Sequence, residues 1–241
     1  MDSIYLVMPA YNEEENIGGV VEEWYSVLEG KADDSRLVIA DAGSSDKTHE
    51  ILLELKRQYD KLEILDTSNK FHGPKVIALY NYAIEQGADF VFQTDSDGQT
   101  DASEFQAFWD LRNSYDAILG KRLVRGDGKS RAFVEHVVCL LLRVIFGVNV
   151  PDANAPFRLI KTDMLKKHIY KMDSDYNIPN IMLTVFFVLA NENIAFKSIS
   201  FRARKSGQNS INMLKIIKIG LGAIKDFYWF KSNIIKETRE I

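Results

Sequence analysis

Four short apolar runs, separated by stretches of helical pattern and each ending in polar residues, constrain this chain more than any other feature. Ile4 to Met8 is closed by Pro9, and Leu37 to Ala40 leads into Asp41-Ala42-Gly43-Ser44-Ser45. Leu62 to Leu65 leads into Ser68-Asn69-Lys70, and Phe90 to Gln93 runs into Thr94-Asp95-Ser96-Asp97. Runs this short and apolar read as buried strands. The segments between them predict helices from Asn12 to about Leu28, from Asp46 to Tyr59 and from about Pro74 to Gln86. Asn12 and Asp46 are the expected N-caps, with Glu13 to Glu15 near the positive end of the first helix dipole. Strands alternating with such helices make βαβ units, hence an α/β fold with a mainly parallel sheet. Ligands bind beyond the carboxyl ends of strands in these sheets. That is where Tyr11-Asn12-Glu13, Asp41, Ser68-Asn69-Lys70 and Asp95/Asp97 fall, so an active site is expected there.

The second half is less regular. Ala117 to Gly120 reads as a strand, Leu123 to Lys129 as a basic glycine-containing loop and Ser130 to Phe146 as a helix. Phe157 to Ile160 and Ile194 to Phe201 read as strands, Arg202 to Asn209 as a polar loop, and Ile211 to about Lys236 as a long amphipathic helix. With 241 residues and no repeat or linker, a single domain over 1–241 is expected, its halves 1–120 and 121–210 followed by the helix 211–241. A net charge of -4 gives no global basic character that would point to nucleic acid. The lone Cys139 sits in an apolar run as a small hydrophobe and can form no intrachain disulfide. The N-terminus lacks the basic start and long apolar stretch of a signal peptide. The most apolar stretches (134–150, 181–190 and 211–230) are too short or carry charges, so no spanning helix is expected. A cytoplasmic location is the expectation, with peripheral attachment to the inner face of a membrane left open.

The strongest chemical signal is Asp95-Ser96-Asp97-Gly98-Gln99. Two carboxylates one residue apart on a turn after a buried strand can converge on a hard cation, Mg2+ or Mn2+, with Gln99 adding a neutral oxygen and substrate phosphates completing the sphere. An Asp-rich turn would carry the same residues. Asp41 can accept an N–H from uracil or guanine, and Tyr11-Asn12-Glu13 can line a base and ribose pocket or simply start a helix. Lys75, after Gly73-Pro74 at a helix start, can meet a phosphate or stand in solvent. Arg202, Arg204 and Lys205, among Ser206, Gly207 and Ser210, suit diphosphate recognition or a solvated basic loop. The histidines show no metal-ligand spacing. No dinucleotide-binding or Walker-type glycine loop and no serine nucleophile elbow occurs.

Together these motifs resemble the inverting family 2 glycosyltransferases with the GT-A fold, and within them the polyprenol- and dolichol-phosphate sugar transferases. The residues that carry the resemblance are Pro9-Ala10-Tyr11-Asn12-Glu13-Glu14 with Asn16-Ile17, Asp41 to Thr48, Asp95 to Gln99, Gly120-Lys121-Arg122, Asp152 to Leu159 and Arg204 to Ser210. The resemblance implies that Asp41 and the segment Pro9, Tyr11, Asn12, Glu13 hold the base and ribose of a UDP- or GDP-sugar. It assigns Asp95, Asp97 and Gln99 to the metal and diphosphate, with Asp97 and Asp152 as the catalytic candidates. It turns Arg122, Arg131, Arg202, Arg204 and Ser210 toward an acceptor phosphate, expected to be a polyprenyl phosphate at a membrane surface.

The chain departs from that pattern at Ala42, where a second Asp is usual, and at Pro156, where Gly is usual. The loop before Ser210 is longer, and the C-terminal membrane helices of many relatives are absent. The implied reaction is displacement at the anomeric carbon with inversion. A lipid phosphate acceptor is already ionised and needs no general base. A sugar hydroxyl would need one, and Asp152 is the candidate. Transfer to a glycan or soluble acceptor, and a non-catalytic nucleotide-sugar-binding scaffold, are the competing functions. The C-terminal helix, with Ile211, Leu214, Ile217, Leu221 and Ile224 flanked by Lys215, Lys218 and Lys225, fits a membrane interface, a dimer contact or the chain's own core.

Overall fold

Every side chain of the first strand is buried, which only a strand covered on both faces can achieve. In the computed structural model, which describes residues 1–67, 69–126, 128–204 and 213–233, this strand is β1 (Ile4–Ala10). β2 (Arg36–Asp41) lies beside it in parallel, then β3 (Leu62–Leu65) at the edge. β4 (Phe90–Thr94) flanks β1 on its other side, also in parallel. β6 (Phe157–Lys161) runs antiparallel between β4 and β5 (Ala117–Arg125), and β7 (Ile194–Phe201) pairs in parallel with β5. The sheet of seven strands has the order β3-β2-β1-β4-β6-β5-β7. The chain therefore reverses its winding between β1 and β4, and the crevice for a ligand opens at that switch.

The alternation of side chains along β1 sends Tyr5 and Val7 to one face and Ile4, Leu6 and Met8 to the other. The second face is covered by α1 (Ile17–Tyr25), α2 (Thr48–Lys56) and α4 (Gln106–Trp109), packed around Trp24, Phe92, Phe105, Phe108 and Phe157. The first is covered by α3 (His72–Glu85), α5 (Lys129–Phe146), α6 (Thr162–Ile169), α7 (Pro179–Leu189) and α8 (Met213–Asn233).

Several sequence expectations change here. Asn12 caps nothing: it has φ 55°, and α1 starts only at Ile17. The strand expected to end at Gly120 continues to Arg125 through its pairing with β7. α4, α6 and α7 were not expected as helices. Cys139 is half-buried against the apolar core, with its thiol 3.5 Å from Glu135. The C-terminal helix docks on the core: Phe227 and Phe230 are buried, with Phe146 and Phe227 rings 5.7 Å apart. Among the described residues no helix is long and apolar enough to cross a membrane.

Candidate active site

The carboxyl ends of β1, β2 and β4 meet in one place because the strands are adjacent and parallel. Asn12 bridges the first two loops: its Oδ1 accepts from Ser45 N at 2.8 Å, and its own N–H donates to Ser44 Oγ at 3.0 Å. Its left-handed backbone is one that asparagine tolerates better than most residues. Glu13 N donates to Thr48 Oγ1 at 2.7 Å, and Asp46 accepts from both Thr48 N and Glu14 N, so Asp46 does hold the start of α2.

Asp41 is 3% exposed. Its Oδ1 accepts from Ser44 Oγ at 2.5 Å and its Oδ2 faces His49 Nδ1 at 3.1 Å. Lys75 is no solvated lysine: it is 1% exposed, and its ammonium donates to Ala10 O at 2.6 Å and Ala42 O at 2.9 Å. It thereby braces the ends of β1 and β2 from below, 5.4 Å from the Tyr11 ring centre. Burial depresses its pKa to about 8, with Asp41 opposing.

The turn after β4 is closed by a 2.7 Å hydrogen bond between Thr94 and Thr100 hydroxyls and by Gly98 at φ 70°. Ser96 Oγ donates to Pro9 O at 2.8 Å and fastens the turn to β1. Asp95 Oδ1 accepts from His72 Nε2 at 3.1 Å and Gln93 Nε2 at 3.3 Å. His72 is the first residue of α3, held in register by Gly73, where a Cβ would lie 2.3 Å from Tyr176 O. The His72 side chain is 53% exposed; the desolvation it does suffer disfavours the charged imidazole, yet the Asp95 carboxylate outweighs it and raises the pKa.

Asp97 Oδ1 accepts from Gln99 N at 3.1 Å. Burial, then the neighbouring Asp95, push the Asp97 carboxyl up to about 6, against the pull of the Gln99 N–H and of Arg204. Glu13, 7% exposed, is raised chiefly by burial, although Asn16 and Arg204 pull it down. Arg204 ion-pairs with Glu13, on the loop that follows β1.

The other sequence candidates lie apart. Gln99 is buried and its amide donates to Arg202 O at 2.8 Å; it anchors the chain after β7. Arg202 pairs with Asp101, and with Glu23 at 3.6 Å. Arg122 and Asp152 form a buried two-point pair, Nε to Oδ2 at 2.7 Å and a terminal nitrogen to Oδ1 at 2.8 Å, with Glu135 at 3.2 Å from the same guanidinium. Burial works against the ionised Asp152, but Arg122 holds its pKa below the ordinary value. A carboxylate so bound is a weak base, which weighs against the general-base role expected of it for a hydroxyl acceptor. A cavity of about 660 Å³ adjoins this pair, lined by Arg122, Glu135, Leu140, Arg143 and Asp152 and by none of the Asp95–Gln99 residues. Arg131 is half-buried on α5, and Ser210 lies outside the described residues.

Sequence reasoning missed His72, His49, Gln93 and Asn180. The Gly73-Pro74 helix start signalled the place of His72, but its partner is 23 residues away in sequence.

With this geometry in view, residues 5–169 match Glycosyl transferase family 2. The chain belongs to that family. It is 27% identical over 180 residues to the dolichyl-phosphate beta-glucosyltransferase ALG5D of Trichomonas vaginalis, covering 68% of this chain and 54% of the relative. It is 22% identical over 217 residues to the undecaprenyl-phosphate 4-deoxy-4-formamido-L-arabinose transferase of Photorhabdus laumondii, covering 90% and 65% respectively. The chain thus spans less than two thirds of the length of either relative. Among solved structures, glucosyl-3-phosphoglycerate synthase from Mycobacterium tuberculosis with uridine diphosphate superposes with a TM-score of 0.66 at 15% identity, over 94% of this chain and 80% of that one. The same enzyme with Mn2+, UDP-glucose and glycerol 3-phosphate gives 0.63 at 16% identity, over 92% and 76%. These superpositions place the fold with the GT-A architecture that the motifs implied.

Proposed function

We propose that this chain is a metal-dependent inverting glycosyltransferase that moves a sugar from a UDP- or GDP-sugar to a polyprenyl phosphate. One observation carries the donor half of this reading. Glu13, Asp41, Asp95 and Asp97 come from three parallel strand ends, and burial there, then the charges of Asp95 and Glu13, raise Asp97. Among the described residues no three His, Cys, Asp or Glu side chains form a ready cation cage. The arrangement instead fits a cation held by Asp95 and Asp97 and completed by the donor's phosphates, as is usual for Mg2+. A bound Mg2+ or Mn2+ would supply charge neutralisation for the departing diphosphate.

The chain's own residues do the rest. Asp41, fixed by Ser44 and His49, accepts an N–H from the base. Tyr11 and Asn12 frame the ribose, on loops that Lys75 holds together. Arg204 sits where it can leave Glu13 for the diphosphate. The two curated relatives carry polyprenyl-phosphate names, which supports a lipid phosphate acceptor. So does the locked Asp152: an acceptor that is already ionised needs no base. Phe133, Val137, Leu140 and Val144, 67%, 36%, 53% and 70% exposed, line one face of α5 beside the cavity. They suit contact with an apolar tail or a membrane surface.

The test is transfer of radiolabelled sugar from UDP- and GDP-sugars into solvent-extractable polyprenyl phosphate with Mn2+ present. Label in the lipid fraction is expected. Label only in a soluble or glycan acceptor would replace the acceptor half, and donor binding without transfer to any acceptor would favour a scaffold.

A further inference from the structure

Gln93 interrupts the apolar run of β4 at a position that is 0% exposed. It belongs to a row of buried polar side chains from separate elements. Tyr80 of α3 donates through its hydroxyl to Asn180 Oδ1 at 3.3 Å, Asn180 Nδ2 to Gln93 Oε1 at 3.0 Å, and Gln93 Nε2 to Asp95 Oδ1 at 3.3 Å. Tyr80 and Asn180 are 0% and 2% exposed. A carboxylate can only accept, so Gln93 must turn its NH2 toward Asp95 and its carbonyl toward Asn180. Asn180 must then do likewise. The row has one polarity, and bonds aligned this way reinforce one another. Arg158, 1% exposed, donates to Asn180 O at 2.8 Å and holds the start of α7 beside the row.

His72 reaches the same Oδ1. Among the described residues no donor reaches Asp95 Oδ2. One oxygen is therefore pinned inward and the other is left for a ligand.

We propose that Gln93 and Asn180 are positioning residues that fix the Asp95 carboxylate with Oδ1 turned into the protein and Oδ2 presented to the donor's cation. The inference rests on the reading of Asp95 as a cation ligand. It gives the buried amides a task that packing alone does not require, because apolar side chains at 80, 93 and 180 together would fill the row and leave no polar group of it unpaired.

The test is Mn2+ affinity in the presence of UDP, read as free Mn2+ by electron paramagnetic resonance. Gln93→Met keeps the side-chain volume and removes the donor; a 10–100-fold weaker Mn2+ affinity is expected, typical for loss of a group that orients a metal ligand. Val91→Ala, a purely apolar truncation in the same strand, should lower the melting temperature yet leave Mn2+ affinity within about twofold. A folded Gln93→Met with wild-type Mn2+ affinity overturns the proposal. Should that variant not fold, Asn180→Ala decides instead: it leaves Gln93 in place without its partner, and unchanged Mn2+ affinity there is equally fatal. Failure of the wild-type protein to bind Mn2+ with either UDP or GDP would overturn the cation site itself, and the proposal with it.

Discussion

Asp97 and Lys75 are the residues at which burial and charge most change chemistry. Asp97 is raised from 3.8 to about 6, so the folded state holds more protons than the unfolded one between those values. Stability of the metal-free protein therefore falls as pH rises through that window. Asp97→Asn removes this penalty. At pH 7 without metal it should be about 1–2 kcal/mol more stable than wild type, after allowance for partial exposure. It should also lose any stabilisation by Mn2+ with UDP, and thermal denaturation with and without Mn2+ checks both. Lys75 behaves in the opposite sense. Its folded pKa of about 8 lies below the ordinary 10.5, so the unfolded state holds more protons in that interval. The wild type should gain stability relative to Lys75→Met as pH rises from about 8 to about 10.5, measured by urea unfolding. An unchanged difference across that range would show that the ammonium is not buried as described. At this scale the places of Asp41, Asp95 and Asp97 at strand ends were legible in the sequence. It hid Lys75's role, because nothing local says that the side chain turns inward to two carbonyls.

Among the elements, strands were legible and buried helices were not. β3 and β7 have the expected bounds because a short apolar run between polar turns admits few other conformations. α7 escaped notice because it is covered on all sides: Pro179 to Phe187 are all buried, so no helical period separates a solvated face from a buried one. α5 shows the reverse case, an exposed face that is apolar. If that face meets lipid, Leu140→Glu and Val144→Glu should each reduce sedimentation with vesicles containing an anionic phospholipid by severalfold. UDP affinity should stay unchanged, because neither residue touches the donor side. Equal sedimentation of variants and wild type would remove α5 from the membrane account.

The whole molecule turns on one topological fact, the reversal between β1 and β4, which brings three acid-bearing loops to a single crevice. The βαβ pattern placed those loops at the carboxyl ends of parallel strands; the strand order that makes the reversal it did not reveal. What did not follow are the pairings that cross the chain: Glu13 with Arg204, Asp95 with His72, Gln93 with Asn180. No local periodicity encodes contacts at such separations. They tie Arg204 to Glu13 beside the β1 end, while Arg122 and Asp152 pair with each other elsewhere. The central claim is that the crevice binds a nucleotide-sugar through a cation on Asp95 and Asp97. Calorimetric titration of UDP- and GDP-sugars into wild type and Asp97→Ala, each with Mn2+ and with EDTA, tests it most directly. The account predicts binding of one nucleotide class that requires Mn2+ and is lost in Asp97→Ala. Binding of equal strength in EDTA, or in the variant, would contradict it.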